Sequence, residues 1–114
     1  MRPIEILRRF IMTLVALGIF SGEAVAQTAS LPQRHIIQIV AFAFQPPQIT
    51  VSSGDTLVWV NNDIVPHFLN IAEGQWQSPV IEEGQSWEMM VDQTGSYTYL
   101  CVVHPKMTGA FSAE

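Results

Sequence analysis

Charge is scarce in this sequence: 13% of the 114 residues are charged, with 5 Lys and Arg set against 10 Asp and Glu. A surface that neutralises phosphates needs a basic excess, so this deficit excludes a nucleic-acid-binding role. The single cysteine excludes an internal disulfide framework and any CxxC-type zinc or redox pair made by this chain alone. Three histidines are too few for a multi-histidine catalytic cluster. The run from Phe10 to Phe20, apolar except for Thr13 and Gly18, counts eleven residues and falls well short of the roughly 20 that a spanning helix needs. There are no repeats, linkers or low-complexity tracts. What is plentiful is apolar side chain, 48% of the sequence, enough for one folded domain.

The N-terminus carries Arg2, Arg8 and Arg9, then the apolar run, then small residues ending in Ala24-Val25-Ala26. This layout predicts a secretory signal peptide over 1–26, cleaved after Ala26, and a mature domain over 27–114. With no cysteine beside the cleavage site, a lipid anchor is not expected. Cleavage takes three arginines and two glutamates, leaving two bases and eight acids and a net charge of −6. The expected product is a periplasmic monomer without a membrane span. A chain of that size buries about 60% of its unfolded surface, and without a disulfide a bound metal is a plausible further support.

Within the mature chain, short β-rich segments alternate with turn residues, and no amphipathic helical stretch stands out. Ile36 to Phe44 is β-branched and aromatic and ends at Pro46-Pro47. Strands are expected at Gln48 to Val51, at Thr56 to Asn61 and from His67 to Ile71, with Asn62 to Pro66 as a loop. Ala72 to Pro79 reads as irregular. Ser86 to Val91 and Ser96 to Cys101, joined by Asp92-Gln93-Thr94-Gly95, have a hairpin pattern, and Gly109 to Ala113 is a last strand. Turns every 8 to 12 residues predict an all-β, antiparallel Greek-key sandwich or barrel. By the two-residue period, Tyr97, Tyr99 and Cys101 share one face.

Cys101, His104 and Met107 stand in Cys101-Val102-Val103-His104-Pro105-Lys106-Met107, and His67 follows a loop upstream. A helix would separate positions 101 and 107 by about 9 Å of rise, and Pro105 disfavours one. A tight loop between strands can instead curl three donors about one point, with a neighbouring loop supplying the fourth. Taken singly, each residue has a plainer reading: a buried small hydrophobe for Cys101, a surface histidine for His104, a hydrogen-bonded rim histidine for His67, core for Met107. Their joint spacing favours a metal site. Thiolate with thioether disfavours magnesium, calcium and manganese, and Met is a poor ligand for structural zinc. Two His and one Cys with a weak axial Met are the donors of a blue-copper electron-transfer site. His35 has no partner in this pattern. Met89 and Met90 are adjacent on a strand, so one of them at most is core, and Glu82, Glu83 and Glu88 read as a solvated edge.

From about Ile36 onward the chain resembles the small cupredoxins, the plastocyanin-like type 1 copper proteins, and among them the amicyanins. The likeness is carried by Ser53-Gly54-Asp55-Thr56-Leu57-Val58-Trp59-Val60-Asn61, by Val65-Pro66-His67, by Gly95-Ser96-Tyr97-Thr98-Tyr99-Leu100-Cys101 and by the two residues between His104 and Met107. The resemblance implies one copper ion cycling between Cu(I) and Cu(II), with His67, Cys101 and His104 as strong ligands, Met107 as the axial one and Tyr97 as a tyrosine-corner residue. It further implies a non-enzymatic carrier of single electrons between periplasmic partners, such as a dehydrogenase and a c-type cytochrome. The edge of His104, ringed by Val65, Pro66, Val103 and Pro105, would be the electron port. The competing class is a periplasmic copper-trafficking or storage protein, which commonly uses exposed Met or His clusters that are missing here. An oxidase or nitrite-reductase domain would need further copper sites, for which His35 is the one spare imidazole.

Two positions depart from the family pattern. Phe68 stands where an Asn usually ties the two ligand loops together, with Asn62 and Asn70 as the candidate substitutes. Val103 replaces a common Pro, and its free N–H, if aimed at the Cys101 sulfur, would stabilise the thiolate and raise the reduction potential.

Overall fold

A computed structural model describes residues 31–114, together with Gly18 and Gly22. The expected signal segment and the start of the mature chain therefore lie outside the described residues, those two glycines apart. Nine strands are present among the described residues: β1 (Arg34–Val40), β2 (Ala43–Gln45), β3 (Gln48–Val51), β4 (Thr56–Asn61), β5 (Leu69–Ile71), β6 (Trp76–Gln77), β7 (Ser86–Met90), β8 (Gly95–Cys101) and β9 (His104–Ala113). They form a four-stranded sheet in the order β2-β1-β4-β7 and a five-stranded sheet in the order β3-β9-β8-β5-β6. The chain changes sheet after β2, β3, β4, β6 and β7, which is Greek-key connectivity.

The expected all-β sandwich is present, with mixed rather than purely antiparallel pairing. β1 runs parallel to β4, from Arg34↔Thr56 to Ile39↔Asn61, and β3 runs parallel to β9. The expected hairpin between Ser86–Val91 and Ser96–Cys101 does not form. β7 pairs with β4, β8 with β9, and the segment after Met90 carries the chain from one sheet to the other. The Tyr97 hydroxyl braces that crossing by donating to the carbonyls of Gln93 (3.0 Å) and Thr94 (3.2 Å), the tyrosine corner that the sequence suggested. The stretch read as one strand over Ile36–Phe44 is broken by a tight turn at Ala41-Phe42, and the irregular segment 72–79 contains β6.

Alternation fills the space between the sheets. β1 contributes Ile37 and Ile39 while Ile36, Gln38 and Val40 face out; β8 contributes Tyr99 and Cys101. Trp59 on the central strand β4 is fully buried, stacked on Trp87 (ring centroids 5.4 Å apart) and edge-on to Tyr99 at the same separation. Burial of an aromatic of this size is worth several kcal/mol, about 3–5 by truncation to Ala. Gly109 on β9 lies opposite Tyr99, and a Cβ there would land on the Tyr99 ring, so the absence of a side chain lets that ring lie across the strand. Met89 packs on the core while Met90 is exposed, as adjacent strand residues must be.

Candidate metal centre

At the exit of β4 the side chain of Asn61 is fully buried and replaces the ladder bonds that the chain gives up as it turns. Its Nδ2 donates to the carbonyls of Val65 and Ile81, each at 2.8 Å, and its Oδ1 accepts the Asp63 amide at 2.9 Å. The loop from 62 to 66 is thereby wound tightly enough to bring Asp63 back against His67. His67 is pinned through its backbone by an isolated bridge to Ile81, with N–H to Ile81 O at 3.0 Å and the reverse bond at 2.7 Å. The strand expected from His67 starts two residues later, at Leu69.

Cys101 ends β8 and is fully buried. Val102 and Val103 form a two-residue turn, His104 pairs with Cys101 across it, and β9 runs on from there, with a register irregularity between Leu100 and Cys101. The segment expected to be a loop is thus the tip of a hairpin. The hairpin places Met107 inward, at 6% exposure, in the same buried cluster as Cys101, and leaves His104, Pro105 and Lys106 on the surface.

The two segments meet at one pole of the sandwich. The Nδ1 of His67, a residue 1% exposed, lies 3.4 Å from Cys101 Sγ, and the rings of His67 and His104 are 5.9 Å apart between centroids. Among the described residues no three His, Cys, Asp or Glu side chains gather about one point by themselves. Asp63 takes the far edge of the His67 ring, at 3.0 Å from Nε2, and His104 is exposed. The loops are tied through the backbone, by Val102 N–H to Phe68 O at 2.9 Å. Neither expected substitute does this: Asn62 faces Gln38, and the buried Asn70 Oδ1 has no partner among the described residues. Among the described residues the polar partner of Cys101 Sγ is the His67 ring, and the Val103 N–H makes no bond to it.

Two participants had not been anticipated. Asp63 is buried; its Oδ2 accepts from the Phe42 amide and lies 3.0 Å from His67 Nε2, while its Oδ1 accepts from the Ile64 amide. Burial pushes its carboxyl up, but the Phe42 amide, the His67 ring and the Ile64 amide together outweigh that and hold it below the usual carboxylate range. Phe42, in the turn between β1 and β2, sets its ring edge-on to His104 (5.0 Å) and to His67 (5.9 Å). The one sequence signal for Asp63 was its place four residues before His67 in a loop. Phe42 carried none, because it read as strand.

The donor set suits a soft cation. Metal-to-nitrogen and metal-to-sulfur distances of about 2.0–2.3 Å at tetrahedral to trigonal angles set the two donors about 3.5–3.8 Å apart, close to the 3.4 Å between His67 Nδ1 and Cys101 Sγ. Residues 34–113 match the family of copper binding proteins described as plastocyanin/azurin. The chain belongs to that family. Copper is this family's cofactor, and the cupredoxin fold is the one described above. Among curated proteins, the chain is 26% identical over 84 residues to amicyanin from Paracoccus denitrificans, covering 69% of this chain and 64% of that protein. It is 25% identical over 83 residues to amicyanin-alpha from Methylorubrum extorquens, covering 68% and 70%. Among solved structures, an oxidised amicyanin mutant superposes with a TM-score of 0.66 at 25% identity, over 69% of this chain and 80% of that one. A purple cupredoxin from Nitrosopumilus maritimus gives 0.65 at 25%, over 69% and 98%. The chain thus spans just under two thirds of the length of the Paracoccus amicyanin.

Proposed function

We propose that this cupredoxin is an exported carrier of single electrons, holding one copper ion through His67, Cys101 and His104, with Met107 as a weak axial donor. The observation that carries the reading is the buried approach of His67 Nδ1 to Cys101 Sγ at 3.4 Å, beside the exposed His104. Copper bound there supplies a Cu(I)/Cu(II) couple. The chain's own part is to hold the donors still and dry. His67 and Cys101 are closed to solvent and braced by the bridge to Ile81 and by the tie from Val102 to Phe68. Four side-chain donors leave no open position for a substrate, which supports a carrier over an enzyme.

His104 is the way in and out. Beside it stand the ring of Phe42, at 49% exposure, and the adjacent Val103, at 57%, an apolar surface at the same pole as the site. Such a surface suits brief contacts of low buried area with protein partners, of the kind the family resemblance suggests: a periplasmic dehydrogenase on one side and a c-type cytochrome on the other. The basic, then apolar, then small-residue order over 1–26 supports export by a cleaved signal.

The visible spectrum of the purified protein with one equivalent of Cu(II) tests this. The expected result is an intense thiolate-to-copper band that bleaches and returns with one electron per protein, and that is absent in Cys101→Ala. A colourless protein that passes its copper to an acceptor would instead be a trafficking or storage protein.

A further inference from the structure

The copper reading does not use Asp63, although it is a buried acid touching a proposed ligand. Among the described residues no Lys or Arg pairs with its carboxylate; its partners are the amides of Phe42 and Ile64 and the ring of His67. An ionised carboxylate can only accept, so the Nε2 atom 3.0 Å from Oδ2 must be the donor. In a neutral imidazole that leaves Nδ1 without a proton, and Nδ1 is the atom facing Cys101 Sγ.

Resting on the copper reading above, we propose that Asp63 is the positioning residue of the site: it holds the His67 proton on Nε2, presents a bare Nδ1 toward Cys101, and lowers the reduction potential. Each part has a physical cause. The hydrogen bond fixes ring orientation as well as tautomer, because Nε2 and Nδ1 are on opposite sides of the imidazole and both are engaged. A buried negative charge, with no Lys or Arg paired to it among the described residues, raises the basicity of the ring and favours the more highly charged ion, Cu(II) over Cu(I). The same Oδ2 accepts the Phe42 amide, so one carboxylate also sets the turn whose aromatic ring flanks both imidazoles.

Two measurements test this. Long-range proton–nitrogen correlation spectra of the metal-free wild-type protein at neutral pH read the His67 tautomer directly, with the proton expected on Nε2. Asp63→Asn keeps an acceptor for the Phe42 amide but removes the charge. Its Cu(II) affinity is expected to fall about ten- to a hundred-fold, with a smaller change for Cu(I). Each tenfold selective loss raises the one-electron potential by about 59 mV. A folded Asp63→Asn with an unchanged or lower potential overturns the proposal, and if that variant fails to fold the wild-type tautomer decides alone. A metal-free protein with the His67 proton on Nδ1 that still turns blue with copper also overturns it while sparing the carrier reading. A protein with the proton on Nε2 that takes up no copper overturns the carrier reading, and the potential-setting role with it.

Discussion

Tyr99 shows how little slack a single core position has. Its ring crosses Gly109 and meets Trp59 and Phe44 edge-on, yet among the described residues its buried hydroxyl has no hydrogen-bond partner, nor has the indole nitrogen of Trp59. Burial pushes the phenol up to about 12, outweighing an opposing pull from the nearby indole. A buried hydroxyl without a partner costs about 1–3 kcal/mol, so Tyr99→Phe should leave stability unchanged or raise it by about 1 kcal/mol. Urea unfolding of both proteins measures this; a loss well beyond about 1 kcal/mol would mean the hydroxyl is bonded after all. At this scale much was legible in sequence. Three proposed donors fall within seven residues and differ in chemistry from everything around them. Asp63 was not legible, because an acid in a loop has no periodicity to mark which way it faces.

The turn between β1 and β2 is one element that pattern alone misread. Ile36–Phe44 has no Gly, Asn or Asp to announce a reversal, yet Ala41 and Phe42 both adopt left-handed backbone, with φ of 51° and 59°. Both central residues of such a two-residue hairpin turn need positive φ, for which Asn-Gly is the usual choice. The left-handed conformation costs a residue with a Cβ about 1–2 kcal/mol. Here tertiary contacts hold it, since the Phe42 amide bonds Asp63 and the ring packs at the two imidazoles. Ala41→Gly should therefore stabilise the protein by up to about 1 kcal/mol, the relief of strain exceeding the added freedom of the unfolded chain. The denaturation midpoint would rise with an unchanged slope. A lower midpoint would show that Ala41 is not strained.

Over the whole molecule, the parallel pairing of β1 with β4 separates two polar centres. The Ile39↔Asn61 end leads to Asp63 and His67; the Arg34↔Thr56 end holds Asp55. His35, read as having no place in the metal pattern, is at this second pole, its Nε2 2.8 Å from Asp55 Oδ2. The Asp55 carboxylate also accepts the amides of Gln33 and Ser52. Those bonds, the Gln33 amide foremost and then His35 and Ser52, bring its carboxyl down to about 2. Between that value and an unfolded one of about 3.9, the unfolded chain binds the extra proton. The stabilisation is thus complete above about pH 4 and lost as pH falls toward 2. Denaturation midpoints from pH 5 to 2 should decline less steeply for Asp55→Asn than for wild type, with Asp63 and Glu88, also held low, supplying the remaining slope. Equal slopes would rule Asp55 out as the acid-sensitive group.

What the amino-acid sequence by itself determined was the kind of fold, the shared face of Tyr97, Tyr99 and Cys101 on one strand, and the chemistry of the four side chains proposed as donors. These are local properties: alternation is set by the two-residue period of a strand, and donor chemistry by side-chain identity. Tertiary structure alone decided which strands are neighbours, that β7 crosses to β4 instead of turning back on β8, and that Asp63 and Phe42 join His67. Alternation says which way a side chain points but not against what. The contacts that complete the proposed metal pole span 21 residues from Phe42 to Asp63 and 34 from His67 to Cys101, and only packing of the two sheets closes those distances.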